Sequence, residues 1–253
     1  MAVYYRTQGF IFKKKDIFEA DRVFSIFTYD FGRLEIFGKA IRKITSKLRK
    51  GTEIFSLSEI DFIQGKNRKT LTNTITIEKF RNIMQDPARL KISYKISEIL
   101  DNFIKGQEKD ESIFTLLKET LNKLNNSNLQ ASGVQLIYYY FLWNFLSIIG
   151  YHPETQKCVV CGLKLNPYLL YFSNKDGGTI CKNCSNHNIE KKEACPEYYQ
   201  RINSDIVKIL RLIFKGDWQI LSKLKVDKFS LNLLKEISEN YCCYILSSRS
   251  ASV

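Results

Sequence analysis

Short hydrophobic runs that alternate with polar positions occupy the first 80 residues and predict β-strands. The runs are rich in Phe, Ile and Thr, and glycine or polar turn residues follow several of them. They are Gly9–Phe12, Val23–Thr28, Leu34–Gly38, Ile54–Ile63 and Thr70–Ile77. Five short strands with this spacing predict a small closed barrel, and the OB-fold is a five-stranded barrel of this size.

From Glu78 the hydrophobic period changes to that of helices. Pro87 directly after Asp86 is a typical helix start. Five amphipathic or apolar stretches predict helices, at Leu90–Phe103, Ile113–Leu124, Ser132–Gly150, Ile206–Phe214 and Leu231–Ile245. The pattern therefore predicts an α+β protein with two domains: an OB-fold barrel at residues 1–80 and a mostly α-helical domain at residues 81–253, with a frayed tail from Ser247.

Two cysteine pairs stand inside the predicted helical domain. Cys158 and Cys161 enclose two residues, as do Cys181 and Cys184, and the segment 162–180 separates the pairs. Each C-x2-C turn can aim two thiolates at one point, so two such turns complete a tetrahedral sulfur shell at about 2.3 Å per bond. We therefore predict one structural zinc ion, held by protein at all four positions, in an insertion at residues 151–194.

The segment between the pairs also fits a zinc ribbon, since Leu169–Ser173, the turn Asp176–Gly178 and Thr179–Ile180 suggest a hairpin. Disulfide bonds are the alternative interpretation of the four cysteines. No apolar signal segment follows Met1, so we expect a cytoplasmic, nucleoid-associated protein whose thiols stay reduced. The remaining cysteines are expected to be packed thiols; they are Cys195, Cys242 and Cys243.

The chain carries a formal net charge of +13, which favours a polyanionic partner. Nucleic acid is the leading candidate, and an anionic membrane surface is the second. Six of the residues between 39 and 50 are basic and none is acidic. The alternative for this segment is a solvated loop without a partner. The predicted DNA-contacting residues are Arg33, Lys39, Arg42, Lys43, Lys47, Arg49 and Lys50.

Three aromatic residues on the predicted strands, Phe10, Phe12 and Phe37, could stack bases, although their spacing is more typical of barrel core. The sequence contains no P-loop, G-x-G-x-x-G, H-E-x-x-H or nucleophile-elbow motif. It also lacks an apolar run long enough to span a membrane. These features favour a binding protein over an enzyme or a membrane-spanning protein.

The order of several segments resembles the bacterial RecO family of recombination mediators. The resemblance begins with Gly9–Phe12, Glu19–Val23, Phe27–Thr28 and Gly32–Leu34, continues through the basic stretch, and returns at the cysteine region. It implies an OB domain that binds single- and double-stranded DNA, followed by a helical domain. It also implies strand annealing, a RecR partner, contact with the C-terminal tail of the single-stranded DNA-binding protein SSB, and help in loading RecA. A zinc-ribbon factor acting in transcription or on RNA is the alternative.

Overall fold

The computed structural model describes residues 3–126, 131–190 and 199–250. The chain forms two compact units that divide between residues 128 and 129. The first unit combines a β-barrel with three helices, and the second contains the remaining helices and a small sheet. The domain boundary expected at residue 80 stays a prediction.

Five strands form the barrel of the first unit: β1 (Val3–Ile17), β2 (Asp21–Thr28), β3 (Gly32–Gly38), β4 (Ser56–Gln64) and β5 (Lys69–Lys79). β1 pairs antiparallel with both β2 and β4. A short parallel pairing, Ile36 with Lys69 and Phe37 with Thr70, joins β3 to β5. This pairing closes the order β1-β2-β3-β5-β4, which confirms the predicted five-stranded OB-fold barrel.

The barrel interior is filled by aliphatic and aromatic side chains from every strand. Phe24, Ile36 and Ile60 are completely buried there. Ile41, from the loop after β3, also belongs to this core and is 2 % exposed. The alternation of apolar and polar positions seen in the sequence therefore corresponds to the inner and outer faces of the barrel.

Three helices follow the barrel in the first unit: α1 (Arg81–Gln85), α2 (Pro87–Phe103) and α3 (Glu111–Asn126). Asp86 caps α2, because its side chain accepts hydrogen bonds from the backbone N–H groups of Ala88 and Arg89. The outer face of β1 packs against these helices, and the Phe10 ring lies 5.1 Å from that of Phe114. Phe10 and Phe12 are therefore buried, at 1 % and 3 % exposure, and cannot stack a base.

The second unit contains five helices and a three-stranded sheet within the described residues. These elements are α4 (Ala131–Ile148), β6 (Leu170–Ser173), β7 (Gly178–Cys181), α5 (Lys182–Glu190), β8 (Tyr199–Ile202), α6 (Ser204–Phe214), α7 (Trp218–Leu221) and α8 (Lys228–Ser250). The predicted hairpin is β6–β7, and β8, which sequence analysis missed, pairs antiparallel with β6.

Trp143 connects the parts of the second unit. It is completely buried, and its indole N–H donates a hydrogen bond of 3.0 Å to the Ser238 hydroxyl. Its ring stacks on Tyr241 at 5.4 Å and meets the edge of Phe172 at 5.8 Å. One residue of α4 thus contacts both α8 and the β6–β7 hairpin, so α4 lies at the centre of the second unit.

The predicted frayed tail is wrong, because α8 continues to Ser250. The hydroxyls of Ser247, Ser248 and Ser250 donate hydrogen bonds to carbonyls four residues earlier, which is compatible with helix. In the described ranges, no helix is both long and apolar enough to cross a membrane.

Candidate functional site

The first cysteine pair lies on a tight turn. The Cys158 N–H donates to the Leu163 carbonyl, and the Gly162 N–H donates to the Cys158 carbonyl, both at 2.9 Å. Gly162 has a φ of 72°, a conformation that glycine adopts without a steric penalty. The Val159 N–H donates to the Thr179 carbonyl at 3.0 Å, which attaches this turn to β7.

The second cysteine pair lies where the hairpin passes into a helix. Cys181 is the last residue of β7, and Cys184 lies in the first turn of α5. The Cys181 N–H points at the Cys158 sulfur, 3.4 Å away. The hairpin and the helix start therefore bring the second pair towards the first.

The four sulfur atoms lie within 4.8 Å of one another, and those of Cys161 and Cys181 are 3.9 Å apart. Two thiolates bound to one tetrahedral zinc ion at about 2.3 Å are about 3.8 Å apart. The observed separations therefore fit a single metal ion. The structure thus brings together all four cysteines that the sequence singles out, and the cluster can bind a metal ion.

Three of these cysteines have clearly shifted pKa values: that of Cys158 is lowered, whereas those of Cys161 and Cys184 are raised. Burial raises the pKa of the Cys158 thiol. Hydrogen bonds from the backbone N–H groups of Cys161, Cys181 and Val160 outweigh this effect and lower the pKa to about 7. Burial and the three neighbouring sulfurs raise the pKa of Cys184. Neighbouring thiolates repel one another, whereas a bound cation stabilises them all. The cluster therefore has the electrostatic character of a cation site.

The other cysteines do not join this cluster in the described part of the chain. Cys242 is buried, as predicted, whereas Cys243 is exposed and is not a packed thiol. Cys195 lies outside the described residues.

A cationic groove lies beside the basic loop of the first unit. Its volume is about 720 Å³. We call it the first cationic groove; five cationic side chains and one carboxylate line it: Lys14, Arg22, Arg42, Arg49, Lys50 and Glu53. The structure therefore brings together three of the predicted DNA-contacting residues with two cations from the neighbouring strands β1 and β2.

Asp16 orients the cations at one side of the first cationic groove. Its carboxylate pairs with Arg22 and lies 3.5 Å from Arg42. The hydrogen bond from Arg22 lowers the pKa of Asp16, so the carboxylate stays charged. Burial, and then the charge of Arg22, lower the pKa of Lys14. A phosphate group in the groove would offset the repulsion between Lys14 and Arg22.

The other predicted contact residues lie elsewhere. Lys39, Lys43 and Lys47 are exposed on the same loop but do not line the first cationic groove. Arg33 is 12 % exposed in its side chain, pairs with Asp101 at 2.6 Å and donates to the Ile104 carbonyl at 2.7 Å. The guanidinium of Arg33 therefore holds the end of α2 and does not lie with the loop.

Comparisons with known proteins cover both units. The family model described as Recombination protein O N terminal matches residues 1–80, and the model described as Recombination protein O C terminal matches residues 84–251. The chain belongs to the RecO family.

Relatives named DNA repair protein RecO match the chain over most of its length. One from Dehalococcoides mccartyi is 32 % identical over 231 residues, which cover 91 % of this chain and 86 % of the relative. One from Thermoanaerobacter sp. is 28 % identical over 222 residues, covering 88 % and 84 %. One from Desulforamulus reducens is 24 % identical over 247 residues, covering 97 % and 91 %.

Sequence reasoning missed Arg22 as a residue of the RecO-family barrel that faces the groove. It stands in the segment Glu19–Val23, which sequence analysis used only for the family resemblance. The structure pairs Arg22 with Asp16 and uses Asp21 to accept the Ala40 N–H at 2.7 Å. The spacing of Asp16 and Arg22 around a hairpin turn is the signal that could have identified this pair.

Proposed function

We propose that this protein is a DNA repair and recombination mediator that binds single- and double-stranded DNA without sequence preference and anneals complementary strands. With RecR, it helps to load the recombinase RecA onto DNA coated with SSB, in the cytoplasm. Membership of the RecO family supports the role in DNA repair and recombination. The observation that carries the proposed DNA binding is the first cationic groove, with five cations against one carboxylate.

The proposed mechanism is electrostatic. Arg42, Arg49 and Lys50, with Lys14 and Arg22, contact phosphates and release counterions. Phosphate contacts carry no sequence information, so binding is sequence-independent and salt-sensitive. Neutralising the phosphates of two strands on one surface lowers their mutual repulsion. Annealing then needs no chemical step and no nucleotide, so the protein is not an enzyme.

The exposed lysines of the basic loop, Lys39, Lys43 and Lys47, extend this surface. Their long side chains reach phosphates that pass beside the groove, and they contribute through charge more than through fixed geometry. Arg33 contributes to the positive potential of the barrel but contacts DNA less directly, because its guanidinium is already bonded to Asp101.

The metal in this proposal is one zinc ion bound by Cys158, Cys161, Cys181 and Cys184. An all-sulfur tetrahedral site is typical of zinc or an iron–sulfur cluster, and two C-x2-C turns favour zinc. Since protein fills all four positions, the ion has a structural role. It joins the first turn to the β6–β7 hairpin, whose Phe172 packs against Trp143.

The second unit is proposed to bind the C-terminal tail of SSB. Such tails are acidic and end in apolar residues, which suits a pocket that combines cations with an aromatic ring. A pocket of about 490 Å³ combines these groups, with Arg211 and Lys215 beside Phe214 and with Glu154 as the carboxylate in its lining. Lys208 lies on the same helix, where it pairs with Asp205.

An annealing assay on naked and SSB-coated complementary strands tests the proposal. We expect annealing of both kinds of strand without ATP. Removal of the SSB tail should abolish annealing of coated strands and leave that of naked strands intact. Equal responses of coated and naked strands would contradict the mediator role and favour a general zinc-ribbon nucleic-acid-binding protein, acting in transcription or on RNA.

A further inference from the structure

Two bulky apolar side chains project from the first unit beside the basic loop. Phe18 lies in the turn between β1 and β2 and is 83 % exposed. Ile44 lies on the basic loop and is 91 % exposed, the highest value among the large apolar side chains that the structure describes. We call these two side chains the apolar tip. Neither is buried in the fold, so burial within the chain does not explain why they are apolar.

The backbone conformation at Phe18 is unfavourable for an aromatic residue. Its φ is 53°, in the left-handed region that bulky residues rarely adopt and that glycine or asparagine adopts at a lower cost. A small polar residue would therefore suit this exposed turn better. A strained backbone that presents an apolar ring to solvent indicates contact with another molecule.

Hydrogen bonds hold the turn against the basic loop. The Arg42 N–H donates to the Ala20 carbonyl at 3.0 Å, and Arg42 Nη1 donates to the Phe18 carbonyl at 3.4 Å. Ile44 follows two residues after Arg42 on the loop. The two side chains of the apolar tip therefore project from neighbouring segments that are bonded to each other.

The same two segments carry a surplus of cations. The exposed ones are Lys15, Arg42, Lys43, Lys47, Arg49 and Lys50. The ion pairs between described residues do not involve Lys43 or Lys47. Glu19 is an exposed carboxylate beside the tip, whereas Asp16 is paired with Arg22. The surface around the apolar tip is therefore positively charged.

Projecting apolar side chains among cations are complementary to the surface of an anionic lipid bilayer. Peripheral proteins insert apolar residues at the boundary between headgroups and acyl chains, while Lys and Arg attract the anionic headgroups. A nucleobase stacks on aromatic rings but gains little from the aliphatic Ile44. An apolar peptide is bound in a concave groove. Exposures of 83 % and 91 % mean that no groove encloses Phe18 and Ile44.

We propose that the apolar tip and its cations bind the surface of an anionic membrane. Phe18 and Ile44 insert among the lipid headgroups, and Lys43 and Lys47 contact the lipid phosphates. The headgroups compete with DNA for Arg42 and Arg49, so protein on the membrane is held away from DNA. This interaction goes beyond the proposed role in recombination and does not depend on it.

Flotation of the full-length protein with lipid vesicles tests this inference. Vesicles of equimolar phosphatidylglycerol and phosphatidylcholine should bind the protein, whereas vesicles of phosphatidylcholine alone should not. Phe18→Asn should lower binding to the anionic vesicles by at least about 5-fold, because the inserted ring is lost, and should leave DNA affinity unchanged. Adding Ile44→Ser should lower vesicle binding further. Asparagine suits the left-handed backbone, so Phe18→Asn should resist thermal unfolding at least as well as the unmodified protein.

The matched control is Ile75→Thr/Met84→Gln, which removes exposed apolar side chains from β5 and α1 of the same unit. It should bind the anionic vesicles like the unmodified protein. Excess oligothymidylate should release the unmodified protein from these vesicles, and simultaneous binding of both ligands would contradict the shared cations. The inference is overturned if Phe18→Asn keeps full vesicle binding, if the control loses as much, or if neutral vesicles bind equally. A loss of DNA affinity alone in Phe18→Asn would also overturn it and would assign the ring to nucleic acid.

Discussion

Asp61, on β4, is a buried carboxylate that links three strands of the barrel. It lies opposite Arg6 on β1 and Asn73 on β5. It accepts hydrogen bonds from Arg6 Nε at 2.8 Å and from Asn73 Nδ2 at 3.2 Å, and its side chain is 3 % exposed. Burial raises the pKa of Asp61, but the hydrogen bonds from Arg6, Tyr4 and Asn73 lower it below its ordinary value. The ionised carboxylate therefore stabilises the folded barrel.

Replacing Asp61 with Asn should lower the free energy of unfolding by about 1–3 kcal/mol at neutral pH, since the donors lose a charged acceptor. Because the folded pKa of Asp61 is depressed, its contribution is fully present above the unfolded pKa of about 3.9 and is lost as pH falls through the folded value. The stability gap between the two proteins should therefore close in acid. Urea unfolding across pH measures this.

Glu59→Gln is the control for that substitution. Glu59 also approaches Arg6, at 3.8 Å, but its side chain is 32 % exposed. A partly exposed ion pair contributes little to stability. A pH-independent gap for Asp61→Asn, or an equal loss in Glu59→Gln, would contradict the role assigned to Asp61.

At the cysteine cluster, replacing Cys161 with Ser should release the metal and lower stability, since structural zinc binding contributes directly to folding. Metal analysis of protein purified under reducing conditions should give one zinc per unmodified chain and less in the variant. Cys243→Ser removes an exposed thiol outside the cluster and should retain the ion. Absence of zinc from the unmodified protein, or a disulfide within the cluster, would disprove this assignment.

At the scale of elements, the basic loop is held to the barrel at both ends. Ile41 enters the barrel core, and a short 3₁₀ helix, Lys47–Gly51, lies against β4 and β5. The Gly51 carbonyl accepts hydrogen bonds of 2.9 Å from the hydroxyls of Ser58 and Thr74. This attachment fixes the direction in which Arg49 and Lys50 leave the barrel.

Gly51→Ala should disturb this attachment, because a β-carbon there would lie 2.6 Å from Thr74 Oγ1 and 2.9 Å from the Thr74 carbonyl oxygen. We expect a loss of about 1–3 kcal/mol in unfolding free energy, as for overpacked sites, together with weaker DNA binding. Thermal unfolding and fluorescence anisotropy measure the two effects.

Gly106→Ala is the matched control, since its nearest atom would be 3.9 Å away. It should change neither stability nor affinity appreciably. Normal DNA affinity in a destabilised Gly51→Ala protein would show that the position of the 3₁₀ helix does not affect binding.

At the scale of the whole molecule, the net charge is +13, and part of this positive charge lines grooves of the barrel. The barrel carries two cationic grooves, each lined by five cations and one carboxylate. The second has a volume of about 510 Å³, and its charged lining residues are Arg33, Glu35, Lys66, Arg68, Lys69 and Lys105. Two grooves of one sign on one barrel reinforce their potentials, which raises the rate of encounter with a polyanion.

Replacing Arg42, Lys43, Lys47 and Arg49 with Ala should weaken binding to single- and double-stranded DNA alike. Each lost phosphate contact should reduce the magnitude of the log–log salt slope by about 0.7 to 0.9. The control removes the same charge at exposed positions that line neither groove: Lys91, Lys118, Lys223 and Lys225. An unchanged slope in the first variant would place the main DNA site elsewhere.

The sequence by itself determined the identity of most elements, because the hydrophobic period is a local property of each segment. It indicated the five strands, the five long helices, the RecO resemblance and the four clustered cysteines. The cysteine cluster was predictable because each C-x2-C turn positions its own two sulfur atoms. The fold then had only to bring the two turns together.

Only the tertiary structure decided which distant residues share a surface. Arg33 was predicted to contact DNA together with the basic loop, but its guanidinium pairs with Asp101. Arg22 was not among the predicted contact residues, but it lines the first cationic groove. The Arg68 guanidinium carbon lies 4.0 Å from the centroid of the Phe37 ring because two residues of β3 pair with two of β5. Such arrangements depend on strand register and barrel closure, which are set by long-range packing and leave no periodic signal in the sequence.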